Sequence, residues 1–324
     1  MAGTQQGKPT NMAAKTQSTA YRTVRNIGDD MTTMNTSTTS RNKGRNQSEI
    51  RDLMMAIHSL SGRLRNAATI KAEFEALPKH IRNASSGIIW QGFSPVNGKA
   101  IMAIVSGLRT PSTNDKTGTM AQVDILVADE HPLQAIKSGA DAAVCGACPL
   151  RPDKLGKRVC YVTLAHAPAS KFRASVRGSY EIITPYQLGV ILAYRNRGIR
   201  FGSYGDPGML PFDVAQTILE VSGVRHTSYT HQWMQPWFDA RHLSYSMASV
   251  DAENTVAMLH AIHPDARYYM LVDSYDALPT ATIACPSNSS KRNDDGSRKV
   301  TCADCGLCAG TDRQAKNVAI VEGS

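Results

Sequence analysis

Residues 199–221 read IRFGSYGDPGMLPFDVAQTILEV. Two periodicities meet in this stretch. IRFGSYG is a short β-rich run that ends in a Gly-rich turn, and Pro211–Val221 carries apolar residues at helical spacing behind a proline suited to a first helical turn. A strand, a tight turn and a short helix make one βα unit.

The rhythm continues on both sides. VCYVTLA (159–165) is expected as a strand and Tyr186–Tyr194 as a helix; RHTSYTH (225–231), HLSYSMAS (242–249) and ARYYMLV (266–272) read as further strands, with a helix over Ala252–Ile262. Such alternation implies an α/β fold with a parallel sheet, and the short connections favour a complete or partial (β/α) barrel with its site at the strand C-termini. An open doubly wound sheet is the alternative. Neither a GxGxxG fingerprint nor a phosphate loop is present, which argues against a nucleotide-binding version of it.

Upstream, KAIMAIVS (99–106) and QVDILVA (122–128) read as a long-looped hairpin. Ile50, Leu53, Met54, Ile57, Leu60 and Leu64 recur on one helical stripe behind Ser48, and Ala67–Glu75 suits a second helix. Residues 48–95 are therefore expected as a helical segment packed on a main domain of 96–324. Residues 1–47 are polar, with few aliphatic side chains, and are expected to stay disordered.

The chain has 324 residues, of which 42% are hydrophobic. No run reaches the ~18 apolar residues of a membrane helix, so a bilayer span is excluded. The first residues lack the apolar segment of a secretory signal, which points to the cytoplasm. The formal net charge is +9. Residues 1–47 hold seven Lys/Arg against Asp29 and Asp30, a net +5. A second basic group, Arg151, Lys154, Lys157, Arg158, Lys171 and Arg173, lies beside cysteines, where a nucleic acid, DNA above all, would feel it. A solvated basic surface is the plainer reading of the same charges.

Seven cysteines, an odd number, in a reducing compartment point to metal or cluster ligation before disulfides. TCADCGLCAG (301–310) spaces Cys302, Cys305 and Cys308 at three-residue intervals, so that a tight turn eased by Gly306 can bring the thiols to one side. Cys285, followed by Pro286, completes a four-sulfur set that fits zinc or a [4Fe-4S] cluster equally well. Cys145, Cys148 and Cys160 form a second group, a cofactor-binding candidate. A trio leaves a coordination position open for chemistry, or borrows a ligand such as His166 and serves structure. Cys160 is expected to begin a barrel strand. The spacing of radical S-adenosylmethionine enzymes is absent.

Asp206, Asp251 and Asp273 fall at three expected strand ends. A carboxylate there suits a base or nucleophile, although Asp206 in Gly-Asp-Pro also suits turn chemistry and Asp251 a helix cap. His231 in RHTSYTHQWMQPW is the histidine best placed for catalysis. Trp233 and Trp237 suit base stacking or, at helical spacing, a core.

The combination of CGACP, CYV, Gly-Asp-Pro, Tyr-Thr-His, CPSN, VTCADCGLCAG and KNVAI resembles a poorly characterised family of phage and prophage proteins with a cysteine-cluster barrel, over roughly residues 140–322. That resemblance implies a host-cytoplasmic protein of phage origin. ARYYMLVDS is more faintly similar to a segment of the tRNA-guanine transglycosylase superfamily, which includes phage enzymes that insert 7-deazaguanines into DNA. It implies a (β/α)₈ barrel with a late zinc site, and Asp206 and Asp273 as base and nucleophile. The zinc spacing there is Cys-x-Cys-x₂-Cys with a later His, which this chain does not follow. The expected function is a metal- or Fe-S-containing barrel enzyme acting on nucleic acid, with phage DNA base modification as the reaction class. The alternative is a non-enzymatic nucleic-acid-binding protein with structural zinc.

Overall fold

The computed structural model describes residues 66–112, 114–152, 160–288 and 292–321. The basic tail, the expected 48–64 helix and Lys154, Lys157 and Arg158 lie outside the described residues.

Helix α1 (Ala67–Ala76) starts where the Asn66 side chain accepts the Thr69 N–H at 2.8 Å, and α2 (Lys79–Asn83) follows Pro78. Strands β1 (Ser86–Phe93), β2 (Ala100–Ser106) and β3 (Ala121–Val127) form an antiparallel meander, with Gly87 opposite Val105 and Ile101 opposite Val127. Ile101–Val105 are buried without alternation, as expected of a strand covered on both faces. The 99–106 and 122–128 hairpin is thus present. SGIIWQGF, within 48–95, is an additional strand that pairs with β2 along its whole length.

Helices α3 (Pro132–Ser138), α4 (Ala142–Cys145) and α5 (Ala167–Val176) come next, then a two-residue strand β4 (Glu181–Ile182) parallel to β1. Helix α6 (Pro185–Tyr194) opens on a capping box in which the Thr184 hydroxyl accepts the Gln187 N–H while the Gln187 side chain accepts the Thr184 N–H. Strand β5 (Ile199–Tyr204) lies parallel to β3, and α7 (Phe212–Ser222) buries Val214, Ala215 and Ile218. The stretch 199–221 is the strand, turn and helix its periodicity implies.

The remaining elements are β6 (His226–Thr227), β7 (Tyr229–Thr230), β8 (Met247–Val250), α8 (Glu253–Ile262), β9 (Tyr268–Val272), β10 (Thr282–Ala284), α9 (Cys302–Cys305) and β11 (Asn317–Val321). They complete two sheets. One runs β4-β1-β2-β3-β5-β6; the other, β10-β11-β9-β8-β7, is parallel throughout. The fold is α/β.

Only Ser228 separates β6 from β7, and it explains the break. Its N–H, instead of continuing the ladder, donates to the Cys308 carbonyl at 3.1 Å, while its own carbonyl accepts the Met247 N–H at 2.9 Å. The chain therefore passes from one sheet to the other where the cysteine-rich segment docks. Across the second sheet, side chains alternate with period two. Tyr268, Met270 and Val272 pack with Leu259 of α8, whereas Tyr269 and Val318 face the opposite side with Cys308.

Two expected strands are corrected. Residues 160–165 run as irregular chain and turn, tied by the Cys160 N–H to the Leu150 carbonyl at 3.1 Å, so Cys160 does not begin a barrel strand. In HLSYSMAS the first residues form part of a 3₁₀ turn over Ala240–Ser244, and β8 begins only at Met247. Among the described residues no helix is long and apolar enough to cross a membrane.

Candidate metal centre

Cys285, Cys302, Cys305 and Cys308 all line one cavity of about 20 Å³, floored by Tyr229, Tyr269 and Val318 of the second sheet. That is room on the order of a single water-sized occupant. Each thiol has its own support. Cys285 sits just past β10 and donates its N–H to the Ala319 carbonyl of β11 at 2.7 Å. Cys302 and Cys305 mark the two ends of the single turn α9, whose N-terminus is closed by reciprocal Thr301 and Asp304 bonds. Gly306, at φ 58°, reverses the chain in the left-handed region and sends Cys308 back toward the sheet.

The segment is pinned from three directions. The Cys302 and Ala303 N–H groups donate to the Lys116 and Thr117 carbonyls at 2.9 and 3.2 Å, binding α9 to the loop between β2 and β3. The Ser287 hydroxyl donates to the same Lys116 carbonyl at 2.9 Å. The buried Arg267 guanidinium donates to the carbonyls of Leu307, Gly310, Arg313 and Lys316, at 3.0, 2.8, 3.2 and 2.5 Å, and so shapes the loop that follows.

Burial pushes the Cys308 thiol up to about 12, with the other three thiols adding to the rise and the Tyr229 hydroxyl opposing it. Burial likewise raises Cys285, Cys302 and Cys305. Four sulfurs in one poorly solvated place hold their protons unless a cation replaces them. Lys116 is lowered by burial, against the pull of the Cys285 and Cys302 sulfurs. Among the described residues no three His, Cys, Asp or Glu side chains stand close enough to define a metal site as they are placed.

The second cysteine group lies at the far end of β5 and β7. Cys145 ends α4, and the Cys148 N–H closes a turn onto its carbonyl at 3.1 Å. Gln232 clamps this turn, its side chain donating to the Cys145 carbonyl and accepting the Ala147 N–H, both at 3.0 Å. Gly146 is required between them, since a Cβ there would lie 2.2 Å from the Gln232 carboxamide oxygen. Burial first, then Cys148, Asp141 and Cys160, raises the Cys145 thiol.

Asp206 is buried beneath this turn. Its carboxylate accepts the Gly208 N–H at 2.9 Å, the Thr230 hydroxyl at 2.7 Å, the His231 N–H at 2.8 Å and the Gln232 side chain at 3.0 Å. Four donors occupy its oxygens, so the strand-end acid is a framework carboxylate rather than one facing an open pocket. His231 stands at the end of β7 with Nε2 3.5 Å from Asp251 Oδ1. Burial opposes its charge, but Asp251 and Cys148 outweigh that and hold it up to about 10. Asp273 is exposed just past β9 and does not line the four-cysteine cavity.

The basic group divides. Arg151 forms a two-pronged pair with Asp141 at 2.7 and 2.9 Å and also donates to the Gly146 carbonyl, while Lys171 is buried against Asp124 at 2.6 Å. Those two charges hold the fold together and do not form a solvent-facing stripe; Arg173 is exposed on α5. Trp233 is core, its indole N–H donating to the Ser249 carbonyl at 2.9 Å, which favours the helical-spacing reading over base stacking. Lys116, Gln232 and Arg267 escaped the sequence reading because their partners lie 40 or more residues away.

No protein-family model, no curated protein and no solved structure matches this chain.

Proposed function

We propose that the protein is a metal-containing enzyme acting on nucleic acid, with Cys285, Cys302, Cys305 and Cys308 holding a zinc ion or a [4Fe-4S] cluster. The observation that carries this reading is the convergence of four thiols, from two segments, on one cavity against the sheet face. A chain with no use for a thiophilic ion has no reason to gather them there. When bound, the centre supplies a rigid closure of the second sheet, and for a cluster a redox group as well.

The same reading takes the two sheets, joined through Ser228, as walls of a partial (β/α) barrel. On β5 the Arg200 guanidinium donates to the Tyr161 hydroxyl at 2.7 Å, and the Ser203 hydroxyl donates to the Gln122 side chain at 2.6 Å. Such groups suit a base edge or a phosphate. Phage origin, with base modification related to transglycosylation as the reaction class, belongs to this proposal.

The second reading is a nucleic-acid-binding protein with structural zinc and no chemistry. The saturated hydrogen bonding of Asp206 favours it, because that carboxylate lacks an oxygen free to act as base. Anaerobic purification followed by metal analysis, a visible spectrum and titration with labelled single- and double-stranded DNA separates them. Iron, sulfide and brown colour support the enzyme, whereas colourless zinc protein with salt-sensitive DNA binding supports the binder. Protein that holds no metal and binds no DNA at low salt overturns both.

A further inference from the structure

A second cavity, of about 210 Å³, opens beside the C-terminal end of β1 and the turn after β5, and four aromatic rings line it: Trp90, Phe93, Phe212 and Trp237. They arrive from three segments, since Trp90 and Phe93 belong to β1, Phe212 begins α7 and Trp237 lies between β7 and β8. Trp90, Phe212 and Trp237 are half-buried and rest against the main core, whereas Phe93 is 73% exposed. A Cβ on Gly92 would lie 2.3 Å from the Trp90 indole, so β1 carries a glycine where that ring needs the space.

The charges beside the rings are unequal. Arg241 pairs with Asp239, which lines the cavity, at 2.6 Å and stands 3.8 Å from Asp213, so two carboxylates meet one guanidinium. That guanidinium lies over the Phe212 ring, 4.6 Å from its centroid, a cation already seated on one of the four rings. Arg241 also fills the acceptor positions of Asp239: Oδ1 accepts the Arg241 N–H and Nε–H at 3.0 Å, and Oδ2 accepts Nε–H at 3.0 Å and Nη2–H at 2.6 Å. A carboxylate has about four such positions. What it offers a guest is negative charge without a free acceptor. His242, also in the lining, is bonded to the Tyr245 hydroxyl, and burial pulls it down to about 4, so it adds no opposing charge near neutral pH.

We infer that this cavity is an aromatic cage for a quaternary ammonium group carried by a small molecule. Aromatic rings attract a cation through their negative faces, and a fully alkylated ammonium donates no hydrogen bond, so it needs none of the acceptors that Arg241 has taken. A primary ammonium would enter with donors left unmatched, at the cost of desolvating them. An anionic nucleotide would meet the surplus carboxylate. The cage goes beyond the metal and nucleic-acid reading and does not depend on it.

The test is calorimetric titration of the full chain with choline and with its neutral analogue, in which carbon replaces the ammonium nitrogen. Choline should bind about 2- to 30-fold more tightly than the analogue, the range that a cation on aromatic faces spans. Phe93→Ala removes an exposed ring and should weaken choline by a similar factor. Asp239→Asn should weaken choline and leave the analogue unchanged. Should Asp239→Asn not fold, Phe93→Ala and the comparison of the two ligands on the wild-type chain still decide the question. No saturable choline binding, equal affinity for the neutral analogue, or unchanged choline binding in Phe93→Ala overturns the assignment. So does tighter binding of a nucleoside monophosphate, which would give the rings to base stacking.

Discussion

The Asp206 carboxylate accepts the side-chain N–H of Gln232 at 3.0 Å, and Gln232 in turn holds the Cys145 carbonyl. One buried acid thus links the mouth of β5 to the turn that carries two cysteines. Asp206→Ala orphans four donors, and each buried orphan costs about 1–3 kcal/mol, so a loss of at least about 3 kcal/mol is expected in urea unfolding. Asp206→Asn keeps the shape but sets an amide N–H against donors, and should lose less. Wild-type midpoints for both variants would show that the acid is not a structural support.

His242 supplies a pH prediction. It is buried among Phe212, Phe238 and Tyr245. Burial pulls it down from 6.5 to about 4, with Asp239 opposing that and Arg241 adding to it. The unfolded chain therefore binds a proton that the folded one refuses between pH 6.5 and 4. Stability is fully present above pH 6.5 and falls as the pH drops toward 4, by up to about 3 kcal/mol from this group. His226 is lowered to about 4 by burial as well, so His242→Phe should remove only part of the slope. Melting curves from pH 4.5 to 7.5 check this; an equal slope in the variant contradicts it.

Arg267 anchors the loop behind the cysteines by donating to four of its carbonyls at once. Lysine offers a point charge in place of a planar fork, so Arg267→Lys should cost about 2–4 kcal/mol and expose residues 307–316 to protease. Limited proteolysis with mass mapping reads the site directly. Unchanged cleavage would mean that the loop is held by the sheet alone.

The local parts of the fold are legible because their cues are local. IRFGSYG and Pro211–Val221 differ in period, and QVDILVA is apolar enough to be a central strand. VCYVTLA misleads because valine, tyrosine and threonine fit a pleat only where a neighbouring strand exists, and among the described residues none pairs with 160–165. SGIIWQGF carries a glycine one position in from each end, which hides a strand that β2 stabilises by pairing with it. The charges mislead for the same reason. Nothing near Lys171 in sequence announces Asp124, so a residue buried in a pair reads as one facing solvent. The cysteine spacing is visible at once, whereas the supports that aim the thiols, Arg267 and the Lys116 carbonyl, belong to tertiary structure.

Removal of metal from the C-terminal set should be felt as lost stability. Cys302, Cys305 and Cys308 belong to a segment otherwise tied by main-chain bonds to the Lys116–Thr117 loop and from Ser228, by the Arg225 side chain on the Ala303 and Asp304 carbonyls and by the Arg267 fork, and an ion on the four thiols would join α9, Cys285 and the sheet floor at once. Free metal at 1,000 times its dissociation constant stabilises the folded form by about 4 kcal/mol, roughly 8 °C in Tm for a chain of this size. Chelator-treated wild type should melt lower by that amount and recover on readdition. Cys305→Ala should melt like the stripped protein and ignore the chelator, because the missing sulfur already prevents closure. A wild-type Tm that chelator does not move, in protein shown to have lost its metal, would separate the ion from folding and leave the four thiols without the role assigned to them.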